Sequence, residues 1–312
     1  MAETIDKYEA FIASPKCSQH ERDRYGALMQ ILIIGCGYLG RRVAAQWRLR
    51  GHAVSALTRL AENAATLRSL GIEPIVGDVL EPAGLRSLPS ADVVLYAVGY
   101  DKHAGASKRD IYVQGLENAL HQIASRVGRI LYVSSTSVYG QDAGEWVDES
   151  SPCVPLTEDG QICLAAEQIA RSSGAIVLRF SGLYGPGRLL RRIESMRSRE
   201  PIRTNPEGFL NLIHVDDGAR VIADLAERGD LDATYLVTDD KPIRRREYYI
   251  HLAKLIGAPP PIFQTDAAGT SGLNKRCLNA RIHAAIGEIL RFPTFDAGLA
   301  DAITSGSAVP PP

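Results

Sequence analysis

The run GCGYLG sets Gly35, Gly37 and Gly40 directly after an apolar stretch, QILII, and ahead of residues that read as a helix. Glycines at that spacing serve one kind of chemistry. Gly35 permits a tight turn, Gly37 lets the backbone approach a pyrophosphate, and Gly40 lets the helix settle onto the strand. The N–H groups at the helix start, around Tyr38 and Leu39, are then offered to the anion. A glycine turn that merely packs is the competing reading. The next apolar run ends in Leu57, Thr58 and Arg59, where an acidic residue would be needed to hold the 2′-hydroxyl of NAD. An arginine suits a 2′-phosphate, and Arg41 could join it, so NADP is expected ahead of NAD, with NAD possible. Arg59 is equally an ordinary residue for a strand end. Asp78, between Gly77 and Val79, could accept from an adenine amino group or simply form the turn before the next helix.

Holding such a turn in place requires a rigid frame. Apolar, β-rich runs alternate with amphipathic stretches: ILIIG, helix 38–50, HAVSALTR, helix 62–70, EPIVGD, DVVLYAVG, helix 107–125, RILYVSS, helix 158–173 and AIVLRF. Strands apolar on both faces and separated by helices indicate a parallel sheet covered on both sides, so the fold class is α/β, a doubly wound Rossmann sheet. Beyond Phe180 the rhythm loosens through LYGPG, a basic helix 188–199, FLNLIHV, helix 216–228, ATYLVTD and helix 244–256. The expected division is an N-terminal extension over 1–28, a dinucleotide-binding domain over 29–180, a smaller substrate lobe over 181–300 interleaved with the sheet, and a flexible tail over 301–312.

Composition narrows the partners. The 312 residues carry 35 Lys plus Arg against 36 Asp plus Glu, so no strong field invites nucleic acid or a membrane surface, and a small-molecule substrate is expected. Five cysteines without a CxxC pair suggest neither a disulfide framework nor a metal site, and the expected compartment is the reducing cytoplasm. No apolar run approaches the roughly 20 residues of a membrane span.

With these pieces assembled, the chain resembles the extended and atypical short-chain dehydrogenase/reductases related to nucleotide-sugar epimerases and dehydratases. The residues carrying the resemblance are GCGYLG at 35–40, GDV at 77–79, YAVG at 96–99, VSSTSVYG at 133–140, Glu149 with Pro152, LRFSGLYGPG at 178–187 and NLIHVDDGA at 211–219. The resemblance implies coenzyme contacts from Val79 and from Ala97, Val98 and Gly99. It implies a catalytic trio of a hydroxyl residue, a tyrosine and a lysine, in which the lysine lowers the phenolic pKa so that the tyrosine can exchange a proton. Ser135 matches the hydroxyl residue. Aligning the family's helix glutamate on Glu167 puts the tyrosine position at Asp159 and the lysine position at Cys163, so both partners are replaced.

Three readings follow. A relocated relay could use Tyr139 or Tyr184, with His103 on the substrate side and Lys102 or Lys108 as nearby cations; both tyrosines also occupy slots that the resemblance fills for packing. A nicotinamide-binding sensor without turnover fits the missing pair directly. An interaction protein that kept only the fold is opposed by the intact glycine turn. On the substrate side, Arg188 opens a run of arginines that could meet a diphosphate or carboxylate, or could form a solvated helix face. The resemblance points to His214 and to Lys275 and Arg276 as substrate-side residues, whereas Asp216 and Asp217 read as a helix cap. A monomer or a homodimer is expected.

Overall fold

In the computed structural model the described residues are 28–102, 105–188, 190–264, 274–287 and 290–306. The first strand, β1 (Gln30–Ile34), explains the architecture by its side chains alone. Successive residues of a strand point to opposite faces. Ile31 and Ile33 enter one core with Val43, Trp47 and Val221, while Leu32 and Ile34 enter another with Leu116, Leu120 and Ala166. A strand apolar on both faces needs helices on both faces, and the chain supplies them.

After β1 come α1 (Tyr38–Leu49), β2 (Ala53–Thr58), α2 (Asn63–Ser69), β3 (Glu73–Val76), the short α3 (Pro82–Leu85) and β4 (Ala91–Tyr96). A widened turn over Asp110–Gln114 leads into α4 (Gly115–Ile123), followed by β5 (Val127–Ser135), β6 (Glu145–Val147), α5 (Glu158–Ser172), β7 (Ile176–Phe180) and β8 (Gly182–Tyr184). Then follow α6 (Leu190–Arg197), β9 (Ile202–Arg203), β10 (Phe209–Leu210), β11 (Leu212–His214), α7 (Val215–Ala226) and β12 (Thr234–Val237). The described chain closes with β13 (Ile243–Arg244), α8 (Arg245–Ile256), β14 (Phe263–Gln264), β15 (Lys275–Cys277), α9 (Ala280–Ile286) and α10 (Phe295–Gly306).

Seven strands form one parallel sheet in the order β12-β7-β5-β4-β1-β2-β3. The order reverses between β1 and β4, which opens a crevice beyond their carboxyl ends. The lobe has its own core of Tyr184, Met196, Tyr248, Leu252, Phe295 and Leu299. Two-stranded pairs stitch it together, β15 joining β6 across a separation of 130 residues by register (Lys275 with Glu145).

Three expectations change. The helix expected over 107–125 is not uniform: it passes through the π-type turn at 110–114 and ends in a 3-10 turn over Ala124–Arg126. FLNLIHV divides into β10 and β11 because Asn211 turns its amide to β15, donating to the Lys275 carbonyl (2.9 Å) and accepting from the Cys277 N–H (2.8 Å). The tail expected from 301 begins inside α10, whose Phe295, Leu299 and Ala302 recur at helical spacing and are buried; residues 307–312 lie outside the described residues, as do 1–27 of the expected extension.

Candidate functional site

A cavity of about 540 Å³ opens at the switch point between β1 and β4. Its floor begins at the glycine turn. Gly35 sits at φ +99°, and a Cβ there would lie 2.5 Å from the Ala97 carbonyl carbon; one on Gly40 would lie 2.5 Å from the Gly35 oxygen. Those two glycines are required by packing. Gly37 is different: a Cβ on it would meet nothing within 4 Å, and it faces the cavity. Gly37 also caps α1 without a side chain, and no acid occupies the first turn, so the helix start keeps its positive end uncompensated by its own first-turn side chains.

Around that floor the structure gathers Tyr38, Leu39 and Arg41 from α1, Arg59 from the end of β2, and Asp78 with Val79 after β3. Ala97, Val98 and Gly99 follow β4, and Ser134 and Ser135 end β5. Gly40 lies beneath, holding helix to turn. Arg59 donates to Asp101 (2.9 Å), an exposed pair on the rim. Asp78 accepts from the Leu80 N–H (2.9 Å), which closes its turn and leaves the second carboxylate oxygen for other contacts. Tyr38 ties the far wall: its hydroxyl donates to the Pro186 carbonyl (3.1 Å), and the guanidinium of Arg188, a cavity residue, lies 4.8 Å from its ring centroid. Burial pushes the Tyr38 phenol up to about 12, so it stays protonated and keeps that bond.

Ser135 accepts from the Ser137 N–H (3.1 Å) and keeps its own hydroxyl proton to donate. Its neighbour Ser134 is committed. Ser134 donates to Glu167 Oε1 (2.7 Å), Arg179 donates to both oxygens of Glu167 (2.8 Å from Nη2), and Arg179 Nη1 donates to the Tyr139 hydroxyl (2.8 Å). The Tyr139 hydroxyl in turn donates to the Asp148 carbonyl (2.7 Å). Glu167 is 0% and Arg179 4% exposed, so this is a buried chain of hydrogen bonds.

The other expected site residues fall away from the cavity wall. Tyr139 belongs to a buried cluster with Val138, Val147 and Cys277, and burial raises its phenol despite Arg179. Tyr184 is in the lobe core, with Gly298 so close that a Cβ there would strike its hydroxyl. His214 is fully buried and caps α7, its Nδ1 accepting the Asp216 N–H (3.3 Å) while Nε2 faces Asp301 (3.5 Å). Burial holds this imidazole below its ordinary value. The expected Asp216–Asp217 cap is therefore replaced: Asp216 pairs with Arg42 (3.0 Å), and Asp217 accepts from the Arg291 and Phe292 amides (both 2.8 Å). Lys275 is buried, and its ammonium donates to the Tyr139 carbonyl (3.2 Å). Arg276 stacks on Trp146 at 4.7 Å and on Phe209 at 5.0 Å. His103 lies outside the described residues.

The positions of the missing pair are occupied in an orderly way. Asp159 sits in the first turn of α5, which Thr157 caps by accepting the Gly160 N–H (3.1 Å), and its Oδ2 pairs with Lys108 (2.6 Å). Cys163 lines the cavity, and burial raises its thiol, so it is no nucleophile at neutral pH. Beside it stands Tyr112, a cavity residue absent from the expectations drawn above. Its only signal was the spacing of four from Lys108, a spacing shared with many helical pairs.

Comparison with known proteins follows the same outline. The model of the NAD dependent epimerase/dehydratase family matches residues 31–237. A solved structure of a candidate NAD-dependent epimerase/dehydratase from Methylobacillus flagellatus is 32% identical, with a TM-score of 0.72 over 89% of this chain and 99% of that one. Protein YeeZ of Escherichia coli is 27% identical over 279 residues, 85% of this chain and 97% of that protein. A 3-diazoavenalumate denitrifying reductase of a Streptomyces species is 27% identical over 262 residues, 75% of this chain and 83% of the reductase. A seven-stranded parallel sheet, a glycine turn at its switch point and a family match spanning β1 to β12 lead to one assignment: the chain belongs to the NAD dependent epimerase/dehydratase family.

Proposed function

We propose that this chain binds a nicotinamide dinucleotide in the β1/β4 cavity, NADP(H) ahead of NAD(H), and works as an oxidoreductase or epimerase-like enzyme on a small carbonyl or nucleotide-sugar-like substrate. The observation that carries the reading is Gly37. Packing accounts for Gly35 and Gly40 but asks nothing of Gly37, whose missing side chain matters only when a ligand comes close to the backbone. The α1 amides would hold the pyrophosphate, Arg59 with Arg41 a 2′-phosphate, and Asp78 the adenine edge. The bound coenzyme would supply or accept a hydride equivalent at the nicotinamide ring. Ser135, whose hydroxyl accepts the Ser137 N–H and keeps its own proton, would hold the substrate oxygen, and Tyr139 and Tyr184 would serve packing. Family membership and the reductase relative support the enzyme class. The residue division also belongs to this proposal, with 29–180 for coenzyme and 181–300 mostly for substrate.

Calorimetric titration with NADPH and NADH tests it. NADPH should bind several times more tightly than NADH, and Gly37→Val should abolish binding while leaving the thermal transition in place. No binding of either coenzyme at millimolar concentration refutes the reading. The second reading, a coenzyme-binding sensor without turnover, is favoured by Asp159 and Cys163 standing where the resemblance expects tyrosine and lysine. Tight binding with no oxidation of NADPH by any of a panel of aldehydes, ketones and sugar nucleotides would select it.

A further inference from the structure

We infer that Tyr112 is the proton-exchanging residue of this cavity, with Lys108, anchored by Asp159, as the cation beside it. The inference rests on the coenzyme reading above.

Among the described residues four tyrosines line the cavity: Tyr38, Tyr96, Tyr112 and Tyr132. Tyr96 and Tyr132 are 2% and 4% exposed and belong to the core under α4. Tyr38 spends its hydroxyl proton on the Pro186 carbonyl. Tyr112 is half-buried, and its oxygen accepts the Tyr100 N–H (3.2 Å). A phenol that accepts a backbone N–H keeps its own proton to give, and the same N–H then stabilises the phenolate left behind.

The local backbone favours this use. Tyr112 sits on the π-type turn Asp110–Gln114, an irregularity that redirects side chains and recurs at functional sites. Ser107 fastens the start of that turn, exchanging hydrogen bonds with Asp110 (2.7 Å from hydroxyl to carboxylate). Lys108 precedes Tyr112 by four residues, so both lie on one helical face. The Lys108 ammonium is held by Asp159 at 2.6 Å and lies 5.5 Å from the Tyr100 ring centroid. Burial raises the Tyr112 phenol above its ordinary value; the Tyr100 amide and the Lys108 charge oppose that rise, and Cys163 and Asp159 add to it. The chain thus lacks tyrosine and lysine at 159 and 163 but carries both residue types on the neighbouring helix, with Tyr112 against the same cavity and Lys108 tied to Asp159.

In carbonyl reduction the substrate carbon gains a hydride equivalent from the reduced coenzyme, which leaves oxidised by two electrons. The carbonyl π bond breaks, and its oxygen takes the phenolic proton of Tyr112. A proton taken up from bulk solvent restores the phenol, so the sum is carbonyl, reduced coenzyme and one proton giving alcohol and oxidised coenzyme. Oxidation runs the same steps backward.

The test begins without turnover. In full-length protein labelled with ¹³Cζ-tyrosine, the resonance lost in Tyr112→Phe identifies Tyr112, and its titration midpoint is followed by NMR. Lys108→Met should raise its proton affinity about threefold or more, and saturating NADP⁺ should lower it. With NADPH and 9,10-phenanthrenequinone as an artificial carbonyl acceptor, Tyr112→Phe should reduce kcat by about 100-fold or more, with an unchanged NADPH Kd. A midpoint indifferent to both Lys108→Met and NADP⁺, or quinone reduction by Tyr112→Phe at the wild-type kcat, overturns the inference. Where the quinone is not reduced by wild type, the titration alone decides. Absence of NADPH binding would instead defeat the coenzyme reading, which the NMR titration of the coenzyme-free protein does not depend on.

Discussion

The Glu167–Arg179 pair joins α5 to β7 with both side chains out of water, and its removal in halves should be far worse than its removal entire. Glu167 receives Arg179 Nε at 3.0 Å, Arg179 Nη2 at 2.8 Å and the Ser134 hydroxyl at 2.7 Å. Burial works against the Arg179 charge, yet Glu167 and Tyr139 hold the guanidinium above its ordinary value, so the charge is present throughout the accessible pH range. Arg179→Met leaves Glu167 with only the Ser134 hydroxyl and the outer Arg171 (3.3 Å). Glu167→Leu leaves a guanidinium stranded at 4% exposure. Breaking a buried pair by one partner costs about 3–5 kcal/mol. At about 2 °C per kcal/mol for a chain of this size, each single variant should melt about 6–10 °C lower. The double variant replaces both charges with apolar bulk, a change that is often close to neutral. It still strips the Ser134 hydroxyl of its acceptor, at about 1–3 kcal/mol, while Tyr139 keeps the Asp148 carbonyl, so it should melt above the worse single variant. Urea unfolding of the four proteins, read as a double-mutant cycle, gives the coupling. Single losses under about 1 kcal/mol, or a double loss equal to the sum of the singles, would refute the reasoning.

Two further outcomes follow from single positions. Asp239 is 1% exposed, and burial, with Asp240, Asp217 and Asp296 nearby, holds its carboxyl well above the ordinary value against the Lys241 amide. The folded state therefore keeps a proton that the unfolded chain sheds near pH 4, so this contribution is full below that pH and is lost as pH rises toward the folded value. Asp239→Asn should be more stable than wild type at pH 8, by about 1–3 kcal/mol, and equal to it near pH 4; a constant difference across urea titrations at both pH values contradicts this. At Gly35, alanine needs φ +99° and puts a methyl 2.5 Å from Ala97 backbone atoms. The two burdens together should cost Gly35→Ala about 2–4 kcal/mol and loosen any coenzyme binding, whereas Gly37→Ala, with open space, should unfold within about 1 kcal/mol of wild type; similar urea midpoints for the two variants would contradict the distinction.

What the sequence disclosed and what it withheld separate along a physical line. QILII followed by three spaced glycines is local information: β-branched runs bury both faces, and glycine spacing reports a turn, so the sheet, its switch point and the cavity floor were legible before any coordinates. Helix α10 was legible in principle, since Phe295, Leu299 and Ala302 repeat at helical spacing, but the tail was expected from 301, inside it. The polar residues were not legible. Tyr139, Tyr184 and His214 stand in motif positions as much as Ser135 does, yet the Tyr139 hydroxyl is bonded to Arg179, the Tyr184 hydroxyl is shut inside the lobe core and the His214 ring caps α7. Arg179 itself hides in AIVLRF, where it reads as the polar end of a strand, because its partner lies twelve residues back on the preceding helix. Periodicity tells which face a residue takes; it does not tell what waits on that face. A tyrosine becomes a candidate for chemistry when its proton is uncommitted and solvent or ligand can reach it, and both conditions are set by neighbours from other elements. Tyr112 meets them through Tyr100 and Lys108, while the two tyrosines in the more suggestive motifs do not.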